Sequence, residues 1–284
     1  MHIARSIGRR IPVISKIVRF ARRLSVGVGP AFKPVVSLAS WIFTSREITN
    51  FTYDLSAINQ RHLAAMVAHV TGTPYADIVR YIAELEHDVQ LRQHIQARVK
   101  AQGDAAADST ARYGRRIGWY AIARAVKPQV IVETGIDKGL GSCVLTAALR
   151  RNSAEGFPGH YYGTDINPRA GYLLSGDYRA HGEILYGDSI TSLRQLAGPI
   201  NLFINDSDHS ARYEAAEYQT VAAKLSERAL ILGDNAHVTD ELLTFAHATG
   251  REFLFFREVP ERHWYPGAGI GIAFVRSPVY GPVA

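Results

Sequence analysis

Two apolar runs in this chain end abruptly in residues that could do chemistry together. Residues 201–205 lead into Asp206-Ser207-Asp208-His209, and residues 229–233 lead into Asp234-Asn235. If these runs are neighbouring strands, Asp206, Asp234 and Asn235 converge beyond their carboxyl ends. Two carboxylates and an amide oxygen are hard ligands, and with waters and a substrate oxygen they complete an octahedron suited to Mg²⁺. A divalent cation there would acidify a hydroxyl and fix its oxygen in place. His209 follows Asp206 by three residues, and an imidazole with an ordinary pKa near ~6.5 suits the role of general base toward that hydroxyl. Plainer uses compete: Asp206 and Asp208 can cap a helix starting near Ser210, and Asp234 can turn the chain. Asp208 is the alternative ligand if the strand runs two residues further, and His237 reads as a loop residue.

A second group lies upstream. Val130-Ile131-Val132-Glu133-Thr134-Gly135 is followed by Gly139 and Ser142, and residues 143–149 read as a helix. A buried strand that turns through glycines onto a helix N-terminus brings backbone N–H groups to a nucleotide-like ligand. The spacing departs from G-x-G-x-x-G, and Glu133 would repel a pyrophosphate while tolerating a cation. This favours S-adenosylmethionine over NAD. Asp165 ends a second strand, where it can accept both ribose hydroxyls. Asp188, followed by Ser189, ends a third and can accept the adenine amine. Each carboxylate alone is also a common helix cap; three in order after a glycine turn read as a nucleoside site.

These residues need a sheet to hold them. Strand-like segments at 129–133, 160–165, 183–187, 201–205 and 229–233 alternate with helix-like ones, which calls for parallel strands and right-handed crossovers. Two last segments, 252–258 and 269–275, have no helix between them and read as an antiparallel hairpin. The expected fold is α/β: a Rossmann-like, seven-stranded, mostly parallel sheet with a C-terminal antiparallel hairpin, plus an N-terminal helical segment. Residues 113–284 resemble the class I S-adenosylmethionine-dependent methyltransferases. Glu133-Thr134-Gly135…Gly139 resembles the first motif of that superfamily, and Gly163-Thr164-Asp165-Ile166-Asn167-Pro168 the second. The Asp206…Asp234-Asn235 set resembles the metal site of catechol-type O-methyltransferases. Asp206-x-x-His209 is similar to the metal-dependent sugar O-methyltransferases of macrolide tailoring, in which the Asp binds metal and the His is the base. The resemblance implies methyl transfer to a hydroxyl of a small molecule such as a sugar, polyketide or phenol. A metal-free methyltransferase acting on a carboxylate or nitrogen is the alternative, as is a membrane-associated binding module with a degenerate cofactor site.

Charge divides the chain further. The net charge is +6, yet residues 1–33 hold eight Lys and Arg and no acid, which leaves 24 basic against 26 acidic residues elsewhere. No basic stripe accompanies the site, so no nucleic-acid partner is expected. Three segments follow: a basic arm at 1–48, a helical cap at 49–112 and a methyltransferase domain at 113–284. Residues 13–25 pattern as a basic amphipathic helix, which implies either peripheral contact with an anionic membrane or packing on the domain or a second subunit. The apolar run 35–43 is too short to span a bilayer. The basic lead makes a poor secretory signal, although its composition also suits an organelle transit peptide. The single cysteine, Cys143, excludes an internal disulfide, fits a cytoplasmic compartment and reads as a core residue.

Within the cap, Ser56 starts a helix through Val70, residues 74–100 form one or two more, and 103–110 is a linker. Asn50-Phe51-Thr52-Tyr53-Asp54 has the character of a lid. Arg112, Arg115 and Arg116 either pair the methionine carboxylate or begin a solvated helix. The loop 263–267 folds over the pocket or meets a partner.

Overall fold

The computed structural model describes residues 12–44, 53–104, 107–108 and 110–276. The chain divides into two units, one of residues 1–45 with 262–265, the other of 46–261 with 266–284. The described part of the first unit is a single helix, α1 (Pro12–Thr44), together with the short segment 262–265. The helix expected at 13–25 thus runs through Gly27, Gly29, Pro30 and Pro34, residues that a sequence reading takes as a stop. Asn50, Phe51 and Thr52 of the expected lid lie outside the described residues.

The second unit is built on seven strands: β1 (Val130–Thr134), β2 (His160–Asp165), β3 (Gly182–Tyr186), β4 (Ile200–Asn205), β5 (Leu225–Asp234), β6 (Glu252–Arg257) and β7 (Gly269–Phe274). Their order is β3-β2-β1-β4-β5-β7-β6. The first five pair in parallel, and β7 runs antiparallel between β5 and β6. The expected fold is the observed one. β4 and β7 are buried along nearly their whole length, so they read as unbroken apolar runs rather than alternating ones. β5 begins four residues before its expected start. Ile200 pairs with Leu225 but Leu202 pairs with Leu230, so Ser226–Arg228 fall in an irregularity of the ladder and their polarity conceals the strand.

Helices α2 (Ala57–Thr71), α3 (Tyr75–Glu86) and α4 (Val89–Gln102) precede α5 (Arg116–Val126); α6 (Leu140–Ala154), α7 (Ser189–Gln195), α8 (Ala211–Ala222) and α9 (Glu241–Ala248) are the crossovers. Ser56 caps α2 by accepting from the Asn59 amide at 3.3 Å, and Gly72 closes it in the left-handed region. Asp88 divides the 74–100 run into two helices by capping α4 through the Leu91 amide at 2.9 Å. α2 lies close on α5 at Gly118, where a Cβ would stand 3.0 Å from the Leu63 side chain.

Arg124, on α5, joins α3 to α6. It is 2% exposed; Nε donates to Glu84 of α3 at 2.8 Å, Nη2 pairs with Glu155 at 2.5 Å and Nη1 donates to Asn152 of α6. Its loss would leave Asn152 Oδ1 without this donor and remove a charge partner from Glu84 and Glu155. We expect Arg124→Ala to lower unfolding free energy by about 3 kcal/mol, the low end for breaking a buried ion pair because Glu155 reaches water. Urea denaturation checks this, and Glu155→Gln should cost distinctly less.

Candidate active site

Strand order reverses between β1 and β4, and the crevice at that point is where an open α/β sheet receives ligands. A cavity of about 540 Å³ opens there, within the range of small-molecule sites, lined by Gly135, Asp165, Asp188, Ser189, Asp206, Ser207, Asp208 and Tyr213 among others. Gly135 makes it possible. Its φ is +76°, and a Cβ would lie 2.1 Å from the Asp206 carbonyl oxygen, so only glycine lets the ends of β1 and β4 close together. Asp165 sits at the mouth, its carboxylate held by the Asp137 amide at 3.0 Å and the Asn167 amide at 2.8 Å. Asp188 caps α7 through the Thr191 amide at 2.8 Å and accepts from the Tyr213 hydroxyl at 2.7 Å. Those bonds, the tyrosine first, hold its carboxyl below the usual range.

The other four cofactor candidates stand behind the wall. Glu133 is 1% exposed, accepts from the Tyr161 hydroxyl at 2.5 Å, and lies under α6, where a Cβ on Gly141 would meet its Oε1 at 2.3 Å. Burial pushes its pKa up to about 7. The expectation that its charge sorts cationic from anionic ligands therefore fails on geometry: the carboxyl faces a helix and a phenol. Ser142 holds Tyr161 at 2.8 Å, Gly139 backs onto Gly171, and the Thr134 hydroxyl donates to Glu217 at 3.1 Å.

Glu217, on α8, went unread in the sequence. Fully buried, it accepts from Thr134, Ser189, Asn205 and Ser207, and so gathers β1, α7, β4 and the following loop around one carboxylate. The only sequence signal was a glutamate on the inward face of an otherwise amphipathic helix.

The expected metal and base residues do come together. One ligand atom each from Asp206, His209 and Asp234 lie within 4.8 Å of one another, and Asn235 Nδ2 stands 3.3 Å from His209 Nε2. Asp206 also lines the cavity, so the cluster adjoins it. His209 Nδ1 lies 3.5 Å from Glu214 Oε1, and that carboxylate raises the imidazole's pKa against the effect of burial. Nε2 faces the cluster, 3.9 Å from Asp206 Oδ1. Burial, and then the neighbouring Asp234, push Asp206 well above the carboxylate range. Asp208 is exposed and turns the loop through the Ser210 amide, and exposed His237 lies against Phe255.

Arg115 was the least expected component. Only 7% exposed, it donates from Nη2 to Asp234 Oδ2 at 2.5 Å, pairs through Nε with Oδ1, and lies 3.7 Å from Glu258. Arg116 reaches Asp206 at 4.0 Å. Neither is a solvated helix start. Tyr53, from the expected lid, is buried and donates to Glu258.

A hard divalent cation fits these residues. The donors are mainly oxygens, the Asp206–Asp234 repulsion is what such a charge relieves, and an Arg-bound carboxylate keeps further lone pairs. Asp206, Asp234 and the Asn235 amide oxygen would hold it.

Two outcomes follow from this geometry. Between its ordinary value of 4.5 and about 7, folded Glu133 carries a proton that the unfolded chain has lost, so its contribution to stability falls as pH rises through that window. Thermal or urea unfolding near pH 5 and pH 8 should show Glu133→Gln shrinking the wild-type difference by about 2–3 kcal/mol. Gly135→Ala forces a clash with backbone and should weaken S-adenosylhomocysteine binding by about ten-fold or more in calorimetric titration; unchanged affinity would place the ligand elsewhere.

Residues 132–236 match a protein family described as "Methyltransferase domain". No curated protein sequence matches the chain. Among solved structures, a putative O-methyltransferase from Klebsiella pneumoniae is 16% identical with a TM-score of 0.50, over 66% of this chain and 90% of that one. The cofactor-bound Rv0187 of MTB is 18% identical, TM-score 0.50, over 69% and 95%. A putative caffeoyl-CoA O-methyltransferase from Staphylococcus aureus is 12% identical, TM-score 0.50, over 69% and 98%. At such identities the likeness speaks for the fold, and the family match covers the segment that builds the pocket. Residues 132–236 thus carry a segment that matches a methyltransferase-domain family, set in a fold shared with these solved structures.

Proposed function

We propose that the domain is an O-methyltransferase, assisted by Mg²⁺, that acts on a hydroxyl of a small molecule such as a sugar, polyketide or phenol. The observation that carries this reading is the convergence of Asp206, Asp234 and His209 within 4.8 Å beside the nucleoside pocket. The names of the Klebsiella pneumoniae and Staphylococcus aureus proteins, both putative O-methyltransferases, agree with it.

Each residue has a task. Asp165, fixed by two backbone amides, presents its remaining lone pairs to ribose hydroxyls. Asp188 and Ser189 form the wall on which the base would lie. Asp206, Asp234 and Asn235 would hold Mg²⁺, and His209 would receive the acceptor's proton on Nε2, with the Glu214 carboxylate 3.5 Å from Nδ1 favouring the charged ring. When bound, S-adenosylmethionine supplies the electrophilic methyl group, and the cation acidifies the hydroxyl that takes it. Arg115 balances charge behind Asp234.

Arg115 also favours a second reading. Its guanidinium already spans both oxygens of Asp234, as a counter-ion would, and this suits a metal-free methyltransferase acting on a carboxylate or nitrogen.

Calorimetric titration with Mg²⁺ separates the two without an acceptor. Under the first reading wild-type protein binds the ion and Asp206→Asn loses that binding, while S-adenosylhomocysteine affinity is retained. Absence of Mg²⁺ binding in the wild type, with turnover undiminished in chelator, selects the second. Once an acceptor is known, His209→Gln should lower kcat by about a hundred-fold or more, the scale of general-base catalysis, with cofactor affinity unaltered.

A further inference from the structure

We propose that α1 and the aromatic residues beside it form a docking surface for an anionic lipid bilayer, the helix lying in the plane of the interface. Ile17, Leu24, Val28, Val35 and Ile42 follow one another at spacings of seven or four, which places them along one side of a helix. They are exposed: Ile17, Val35 and Ile42 each at 60%, with Phe20 at 66% and Phe43 at 87%. Lys16, Arg19 and Arg23, spaced by three and four, occupy the other side and are also exposed. Cations back the stripe along its first part, from Lys16 to Arg23, and a helix so built sinks its apolar face into the acyl boundary and leaves its charges among the headgroups.

Aromatic residues mark the same unit. Trp41 packs edge-on against Trp264 at 5.6 Å and His263 at 6.3 Å, and Trp264 in turn contacts Tyr265 at 6.0 Å. Trp and Tyr combine an apolar body with a polar tip and concentrate at the membrane–water boundary. Here the loop between β6 and β7 adds two of them to the C-terminal end of the basic helix. No helix among the described residues is long and apolar enough to cross a membrane, so the stripe calls for a surface rather than a span.

The occupant is decided by charge. The stripe's spacing would also suit a coiled coil with a second copy, but pairing of that kind needs acidic partners for the flanking basic residues. The sequence has no Asp or Glu before Glu47, so two such helices would set cation against cation. An anionic leaflet removes that repulsion and attracts every Lys and Arg. It also accounts for a helix through Gly27, Gly29, Pro30 and Pro34, a poor sequence for a helix in water unless its apolar face is covered.

The test uses the full chain, sedimented with vesicles of phosphatidylcholine alone or mixed with phosphatidylserine. Binding should require phosphatidylserine and disappear near 1 M salt, where the screening length is about 3 Å. Ile17→Asp/Leu24→Asp and, separately, Arg19→Glu/Arg23→Glu should each weaken it by about ten-fold or more. Both variants should keep wild-type S-adenosylhomocysteine affinity, which shows that the domain is folded. Equal sedimentation with both vesicles, or with neither, overturns the proposal. So does a wild-type dimer in analytical ultracentrifugation that dissociates in Ile17→Asp/Leu24→Asp without any vesicle binding, since that assigns the stripe to a second copy.

Discussion

The site depends on one buried ion pair. Asp206, Asp234 and Glu258 bring three carboxyl groups to the ends of β4, β5 and β6, and the Arg115 guanidinium is the cation inserted among them. A carboxylate with Asp234's burial is costly unless paired, and here the pairing uses both oxygens. Removing the arginine would leave an uncompensated charge in the interior, where such losses cost about 3–5 kcal/mol. The Nη2 hydrogen bond to Oδ2, with Nε close to Oδ1, holds Asp234 against Arg115.

That interaction reaches outward through Glu258. Tyr53 donates to it, Leu55 bridges to Pro260, and the Asn59 side chain bonds both the Arg257 carbonyl and the Val259 amide. The start of the helical cap is therefore fastened to the end of β6, and Arg115 itself stands at the head of α5. Segments on both sides of the sheet domain's first strand thus meet at a single charge. On the opposite side of the cavity Glu217 works the same way in reverse: a buried acceptor collects four donors instead of a buried donor collecting acceptors. Burial raises its pKa, and its bonds to Ser189, Ser207 and Thr134 counter that rise. Two buried charged side chains of opposite sign are thus each bonded to groups from several elements, some of which line the pocket. This is the preorganisation that a polar transfer reaction requires.

The fold was largely legible because a parallel sheet covered on both faces writes its strands as unbroken apolar runs. Asp165, Asp206 and Asp234 were legible because an acid directly after such a run has little choice but to lie at the strand's carboxyl end. What sequence cannot supply is the face a side chain takes once helices pack. Glu133 closes the first strand much as Asp165 closes the second, yet it turns beneath α6, against Tyr161, because Gly141 leaves room for a carboxyl there.

Arg115 and Glu217 show the converse. Glu217 lies on a helix and Arg115 caps the start of one, and nothing in periodicity distinguishes a charged residue that faces water from one that answers a charge across the sheet. Arg115 lies 119 residues from Asp234, and each is explained only by the other. The same limit applied to α1, where Gly and Pro argued for a break but the apolar stripe continues to Ile42. Propensity is a local statement worth up to ~1 kcal/mol per glycine and ~3 per proline, whereas coverage of a long apolar face is summed over every turn. When the two conflict, the surface that covers the face decides the structure.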